Sequence, residues 1–301
     1  MVEGFQSANP SLDCVTYNGN GTPFEQLWCL YPSMERWYFD WEKNYDPVNV
    51  YRWVIEMKHL PVALVMLYGV LIIYGQNYYF AKRAPWNWRK ALALWNFTLS
   101  FFSFCGMVRT VPQLMHNLST FSLRDNLCHD PEMREGSGTT GLWVQLFVLS
   151  KIPELLDTFF IVIHKKPLIF LHWYHHVTVL LYSWYSYVLK NPSGLFSTAM
   201  NYTVHFVMYG YYFLMAIKSK PKWMNAMVIT VMQIAQMVVG VVVMCLTYYF
   251  STQESSDTCN VNQENNLAAF LMYGSYLFLF LEFFLKKYFT VRTKKIEKKV
   301  E

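Results

Sequence analysis

The chain has 301 residues, of which 54% are hydrophobic, 19% aromatic and only 15% charged. Apolar residues gathered into long runs at that density exclude a soluble globular domain and a disordered chain, and point to one multispan membrane domain. The formal net charge of +5 is carried by alternate loops, so it reads as a topology signal and not as a nucleic-acid surface.

Residues 1–58 are polar, acidic and aromatic. They lack an apolar h-region, so no cleaved signal peptide is expected. They form a first segment outside the membrane. Residues 59–287 form the membrane domain, and 288–301 a basic tail. Spans are predicted near 59–80, 90–115, 141–163, 168–189, 195–217, 224–250 and 266–285. Each run is long enough to cross a core of roughly 30 Å at about 1.5 Å per residue. The runs are continuous and do not alternate, so an all-α integral membrane protein of about seven helices is expected and a membrane β-barrel is not. There is no internal repeat.

Lys82, Arg83, Arg89 and Lys90 fall in the first inter-span loop. Lys165 and Lys166 fall in the third, and Lys218, Lys220 and Lys222 in the fifth. Lys286, Lys287, Arg292, Lys294, Lys295, Lys298 and Lys299 lie at or beyond the last span. The loop 251–264 holds Glu254, Asp257 and Glu264 and no basic residue. This bias predicts a cytosolic C-terminus and a lumenal N-terminus. The dilysine Lys298-Lys299, placed just before Val300-Glu301, resembles the retrieval signal of endoplasmic reticulum membrane proteins. A plain basic membrane contact is the simpler reading.

On the predicted lumenal side, Asn20-Gly21-Thr22 and Asn117-Leu118-Ser119 are glycosylation sequons. Asn201-Tyr202-Thr203 lies inside a span and is read as a chance match. Of six cysteines, Cys105 and Cys245 fall within spans and are expected in the core. Cys14, Cys29, Cys128 and Cys259 fall on the oxidising side. A Cys128–Cys259 disulfide is expected, and a Cys14–Cys29 bond could form alongside it. No cysteine has metal-ligand spacing.

The densest signal is His172-Trp173-Tyr174-His175-His176, which holds three of eight histidines inside an apolar segment. Positions i, i+3 and i+4 share a helix face, and intramembrane ionisable clusters are functional by default. The third span carries Lys151, Glu154 and Asp157. The fifth carries Asn201, Tyr202, His205, Tyr209 and Tyr212, and the sixth Gln233 and Gln236. Counted from the cytosolic ends, Asp157 lies roughly 9 Å deep, His175 roughly 12 Å, Glu154 roughly 14 Å, Gln233 roughly 15 Å, and Lys151 and His205 roughly 18 Å. Four helices thus bring polar groups to one depth, as a buried site open to the cytosol requires. For Lys151, Glu154 and Asp157 the plainer reading is an ion pair on one helix face. For Gln233 and Gln236 it is interhelical hydrogen bonding.

Two chemistries use such histidines. A di-iron centre needs several histidine boxes, whereas this chain has one box and isolated His59, His116, His129, His164 and His205. No metal is therefore expected. Acyl chemistry needs an imidazole as nucleophile or base, oriented by Asp157 or Glu154. A seven-helix transporter or receptor is the rival from another class. Transporters carry repeats and Gly/Pro-broken helices, which are not found here.

The Lys151, Glu154, Asp157, Thr158 run, the histidine box, the stretch Asn201 to Tyr212 and the Gln233/Gln236 pair together resemble the very-long-chain fatty acid elongases, membrane 3-ketoacyl-CoA synthases. The match extends from the first span to the tail. The stretch around the box looks most like the subgroup acting on saturated and monounsaturated, palmitoyl-class chains. His164 departs from the family, which carries Arg before the basic loop. The resemblance implies condensation of a long-chain acyl-CoA with malonyl-CoA, releasing carbon dioxide and CoA, through an acyl-imidazole on His175. It implies support from His172, His176, His205, Asp157, Glu154 and Lys151. It also implies an inverted barrel of six helices around an acyl tunnel, with the first span outside. No tightly bound cofactor is expected. Asn201, Tyr202, Tyr209, Tyr212, Gln233 and Gln236 are the expected substrate contacts. Lys165, Lys166, Lys218, Lys222, Lys286 and Lys287 would stand near the CoA phosphates, although such a lysine is more often only a topology signal. Expected partners are the two CoA thioesters, the bilayer and the other enzymes of the elongation cycle. Acyl-length preference and homo-oligomerisation stay open.

Overall fold

A computed structural model describes residues 14–253 and 259–290. Lys298, Lys299, Glu254 and Asp257 lie outside the described residues. The described residues open on a small antiparallel hairpin, β1 (Val15–Tyr17) and β2 (Pro23–Glu25), with Val15 facing Glu25 and Tyr17 facing Pro23. Its turn closes because Asn18 Oδ1 accepts from the backbone of Asn20 and Thr22, both at 3.0 Å. Such side-chain bonding of a turn is what Asn supplies. Cys14 and Cys29 are bonded to each other beneath the hairpin, and Cys128 to Cys259 between distant loops.

Among the described residues, nine longer helices follow. They are α1 (Val48–Glu56), α2 (Leu60–Tyr74), α3 (Arg89–Thr120), α4 (Gly138–Ser150), α5 (Leu156–Ile163), α6 (Phe170–Val188), α7 (Gly194–Ala216), α8 (Ala226–Gln253) and α9 (Gln263–Leu285). Among the described residues, four segments are long and apolar enough to cross a membrane: Leu60–Tyr79, Arg89–Thr120, Ala226–Gln253 and Gln263–Phe289. The other three expected spans are helical but do not meet that description. α6 and α7 hold the histidine box, Asn201, His205 and several tyrosines, which lower their apolarity. The expected span 141–163 is broken. It stops at Ser150 and resumes at Leu156 through a 3-10 turn, Pro153–Leu155. Pro153 has no N–H to continue the ladder and crowds the preceding turn.

α6 packs on α4, α4 on α3, α3 on α7, α7 on α8, α8 on α9, and α9 on α6. α2 lies against α6 and α5. At the α3–α7 crossing, Gly106 faces Tyr202; a Cβ there would stand 2.3 Å from the ring carbon Cζ. Small residues let backbones approach where helices meet without water. Three helices end alike. Lys165, Lys190 and Lys218 adopt left-handed φ values of 51°, 48° and 61° after α5, α6 and α7. The N–H of the residue after each lysine bonds back into the helix, as in Lys166 to Ile161 O at 3.0 Å and Ser219 to Leu214 O at 2.9 Å. These are Schellman caps, with lysine where glycine is usual and a cation at the negative helix end.

The N-terminal segment is fastened to this bundle. Glu42, 1% exposed, accepts from Arg109 Nε of α3 at 2.9 Å and from Trp143 Nε1 of α4 at 3.2 Å. Gln26 Oε1 accepts from the Thr139 backbone N–H at 3.1 Å at the start of α4.

Two further expectations are corrected here. The sequon at Asn117 is not reachable for a glycan. Its side chain is 3% exposed, accepts from Gln113 and donates to Glu135 at 3.2 Å. Asn20, by contrast, is exposed in the hairpin turn. Cys245, expected in the core, is exposed.

Candidate active site

α6 presents the histidine box inward because residues 172, 175 and 176 fall on one face. The His172 and His176 rings lie 4.5 Å apart, tilted by 48°, and those of His175 and His176 lie 5.7 Å apart. Two hydrogen-bond networks flank them. In the first, Asp157 accepts from Trp95 Nε1 and from the Tyr209 hydroxyl, both at 2.6 Å, and lies 3.9 Å from His176 Nε2. His172 Nε2 shares a 2.9 Å bond with the Thr158 hydroxyl, which shares another with Tyr68 at 2.5 Å. In the second, Ser150 donates to Glu154 at 2.8 Å. Lys151 Nζ donates to both Glu154 oxygens, at 2.8 and 3.0 Å, and to Asn201 Oδ1 at 3.3 Å. Asn201 Nδ2 lies 3.2 Å from His205 Nε2.

The second network spans the break at Pro153. Here the chain turns at Ile152–Leu155, and the Lys151–Glu154 pair closes across the turn while both residues stay buried. A buried ion pair tolerates desolvation only with further hydrogen bonds, which Ser150 and Asn201 supply. The Phe147 ring, 4.2 Å from Lys151 Nζ, adds a cation–π contact.

His175 stands between the networks and belongs to neither. Its Nδ1 is buried with no hydrogen-bond partner. Its ring faces Tyr276 at 4.9 Å, whose hydroxyl donates to the His175 carbonyl at 3.3 Å and shares a 2.5 Å bond with Thr178. His175 also lines a deep pocket with Val148, Val179, Asn201, Gln236 and Met237. A buried polar atom without a partner is uncommon and asks for an explanation; here it sits at the wall of a cavity.

The structure thus gathers His172, His175, His176, His205, Asp157, Glu154, Lys151, Asn201 and Tyr209 in one place. It revises several roles. Glu154 orients no histidine, being taken up by Lys151 and Ser150. Tyr202 does not line the pocket; it is 2% exposed, donates to Trp143 O at 2.9 Å and is walled by Phe102, Trp143 and Phe147. Tyr212 is 46% exposed, and Gln233 donates to Met208 Sδ at 3.3 Å; neither lines the pocket. Lys165, Lys166, Lys218, Lys222, Lys286 and Lys287 are exposed. Lys286 pairs with Glu282, and Lys287 lies over Phe283 and Tyr288. Among the described residues, no group of three His, Cys, Asp or Glu side chains is placed to hold a metal ion.

Sequence reasoning missed Trp95, Tyr68, Tyr276 and Thr178. Thr178 was within reach, since it lies three residues after His175 on the same helical face. The other three are isolated aromatics in apolar runs, where nothing local distinguishes a donor from a core residue.

Comparison with known proteins gives the family. Residues 53–297 match the model of the ELO, or GNS1/SUR4, family. Very long chain fatty acid elongase 6 of Drosophila melanogaster is 40% identical over 250 residues, covering 83% of this chain and 78% of that protein. The Homo sapiens protein of the same name is 40% identical over 250 residues, covering 83% of this chain and 92% of the other. Fatty acid elongase 3 of Trypanosoma brucei brucei is 36% identical over 274 residues, with 83% and 91% covered. With a histidine box set into a helical membrane bundle and a match over most of its length, the chain belongs to the GNS1/SUR4 family of fatty acid elongases.

Proposed function

We propose that the chain is the condensing enzyme of fatty acid elongation, a very-long-chain 3-oxoacyl-CoA synthase. A long-chain acyl-CoA and malonyl-CoA would give a 3-oxoacyl-CoA two carbons longer, carbon dioxide and CoA. The observation that carries this reading is His175: an imidazole at the pocket wall whose Nδ1 has no partner, whereas His172 bonds Thr158 and His205 lies beside Asn201.

In the proposed path an imidazole nitrogen of His175 attacks the thioester carbonyl. The C–N bond forms, the C–S bond breaks, and CoA leaves with the imidazole proton. Malonyl-CoA then loses carbon dioxide, and the electron pair left on its C2 attacks the acyl carbonyl. The C–C bond forms, the C–N bond breaks, and His175 regains a proton from solvent. Covalent catalysis divides one hard condensation into two easier steps. His176 beside Asp157, and His205 beside Asn201, hold the surrounding polar frame. The chemistry as written requires no metal. Palmitoyl-class saturated and monounsaturated substrates are proposed from the elongase 6 relatives.

The circuit of contacts from α6 through α4, α3, α7, α8 and α9 supports a six-helix enclosure of the acyl chain, with α2 outside. Seven spans, a lumenal N-terminus, a cytosolic C-terminus and retrieval to the endoplasmic reticulum by Lys298 and Lys299 complete the proposal. The loop distribution of Lys and Arg supports the orientation. The exposed lysines at the ends of α5, α7 and α9 would then face the cytosol, where CoA is found.

The test is incubation of purified protein with acyl-CoA alone. Free CoA and one acyl adduct on His175, located by peptide mass spectrometry, are expected. A His175→Ala variant that still elongates refutes the assignment.

A further inference from the structure

The pocket that starts at His175 does not end among the membrane helices. Its far end is lined by Asn20, Pro47, Val48 and Tyr51, residues that precede the family match, which begins at residue 53. The opposite side of that end is formed by Glu132, before α4, and Lys190, after α6. His175 and Lys190 are fifteen positions apart along α6 and its cap, roughly 22 Å at the helical rise.

Glu132 joins the two sides. Its carboxylate accepts from Asn18 Nδ2 at 2.9 Å, Asn20 Nδ2 at 3.2 Å and Thr22 Oγ1 at 3.3 Å, all in the hairpin turn, and it pairs with Lys190 Nζ. Lys190 Nζ also lies 5.5 Å from the Tyr51 ring, and the Tyr51 hydroxyl donates to Val188 O at 2.8 Å. Burial pushes the Glu132 carboxyl up, but the hydrogen bonds from Lys190, Asn18 and Asn20 outweigh it and hold the group below its usual range. The rest of the segment is fixed independently through Glu42 and Gln26. Glu132 therefore latches the hairpin across the pocket's end without being needed to keep the segment on the bundle.

We infer that the segment 14–52, latched by Glu132 to Lys190, is the stop for the methyl end of the acyl chain and sets the longest chain the pocket admits. The inference rests on the condensing reading for the identity of the ligand. Each buried methylene multiplies affinity about fourfold. A methylene pushed past Tyr51 must instead part a satisfied polar cluster, and one orphaned partner there costs about 5- to 150-fold. Affinity should rise with length and then stop abruptly at the latch.

The experiment uses the full chain in detergent and a ladder of saturated acyl-CoAs in two-carbon steps. Equilibrium binding is measured without malonyl-CoA, and kcat/KM with it. The variants are Glu132→Gln, which keeps an acceptor for the hairpin and removes the ion pair, and Lys190→Met, which removes the same pair from the other side. Both should bind and elongate the first excluded length at least tenfold better than the parent, with shorter chains unchanged. Uniform loss at every length, or an unchanged cutoff in both folded variants, overturns the inference, as does length-independent binding by the parent. Length-dependent binding with no condensation would remove the condensing reading and leave the stop standing.

Discussion

Gly106→Ala tests the packing that carries the site. The added Cβ would meet Tyr202 Cζ, Cε2 and Cε1 at 2.3, 2.4 and 2.5 Å, more than an ångström inside ordinary contact. The ring has nowhere to retreat. Its hydroxyl is held by Trp143 O, three aromatic side chains close around it, and it is 2% exposed. Overpacking of this kind costs about 1–3 kcal/mol, and the rigid ring places it near the top of that range. Replacing glycine by alanine inside a helix returns about 0.5–1 kcal/mol, so the net loss is about 2 kcal/mol. Gly274, within α9, is the control, because a Cβ there meets nothing within 4 Å. Gly274→Ala should gain about 0.5–1 kcal/mol.

Thermal unfolding in detergent reads both, with about 2–4 °C expected for each kcal/mol. Gly106→Ala should also lower turnover, because Asn201, next to Tyr202, links Lys151 to His205. A double variant with Tyr202→Leu should recover most of the lost stability, the coupling a shared contact predicts. Gly106→Ala as stable as Gly274→Ala would refute the close approach of α3 and α7.

Glu135 gives a pH dependence. Burial pushes its carboxyl up to about 7, against the lowering pull of Arg134 and Asn117. A raised carboxyl contributes stability that is full below its unfolded pKa and lost as pH rises through the folded value. Glu135→Gln should therefore match the parent near pH 5 and exceed its thermal stability near pH 8; equal stability at both pH values would refute the assignment. Lys218→Gly, in turn, should relieve the left-handed φ of 61° and add about 1 kcal/mol of stability. A several-fold rise in KM for the CoA substrate in the same variant would place that lysine on the phosphates; an unchanged KM would leave it a helix cap.

Much of the bundle was legible because apolar runs set helix lengths and turn positions. The expected 90–115 and 224–250 became Arg89–Thr120 and Ala226–Gln253, differing by five residues or fewer at each end. The break in 141–163 was missed although Pro153 was in plain view, since a proline inside an apolar run reads as a kink as readily as a stop. The site was legible in its histidines and carboxylates, which are conspicuous among apolar neighbours. Its donors were not. Trp95 and Tyr68 look like lipid-facing aromatics until a distant helix brings Asp157 or Thr158 against them. Tyr202 erred the other way: it lies between Asn201 and His205 in sequence, but successive residues of a helix point about 100° apart. One therefore turned to the core while its neighbours turned to the site.

The division of polar groups follows from the cost of burying them. Several side chains near the box are satisfied locally: Asp157 by Trp95 and Tyr209, Glu154 by Ser150 and Lys151, His172 by Thr158, His205 by Asn201. A buried group left unmatched destabilises by about 1–3 kcal/mol, so packing alone would favour closing the last gap as well. His175 Nδ1 is the atom for which this was not done. Thr178, one turn further along the same face, could have turned its hydroxyl towards the box but instead bonds Tyr276 and its own helix carbonyls. The frame is thereby rigid where it needs to orient and unsaturated where a substrate carbonyl would arrive. In the proposed function, that asymmetry separates the imidazole of His175 from those of His172 and His176 on the same turns of α6.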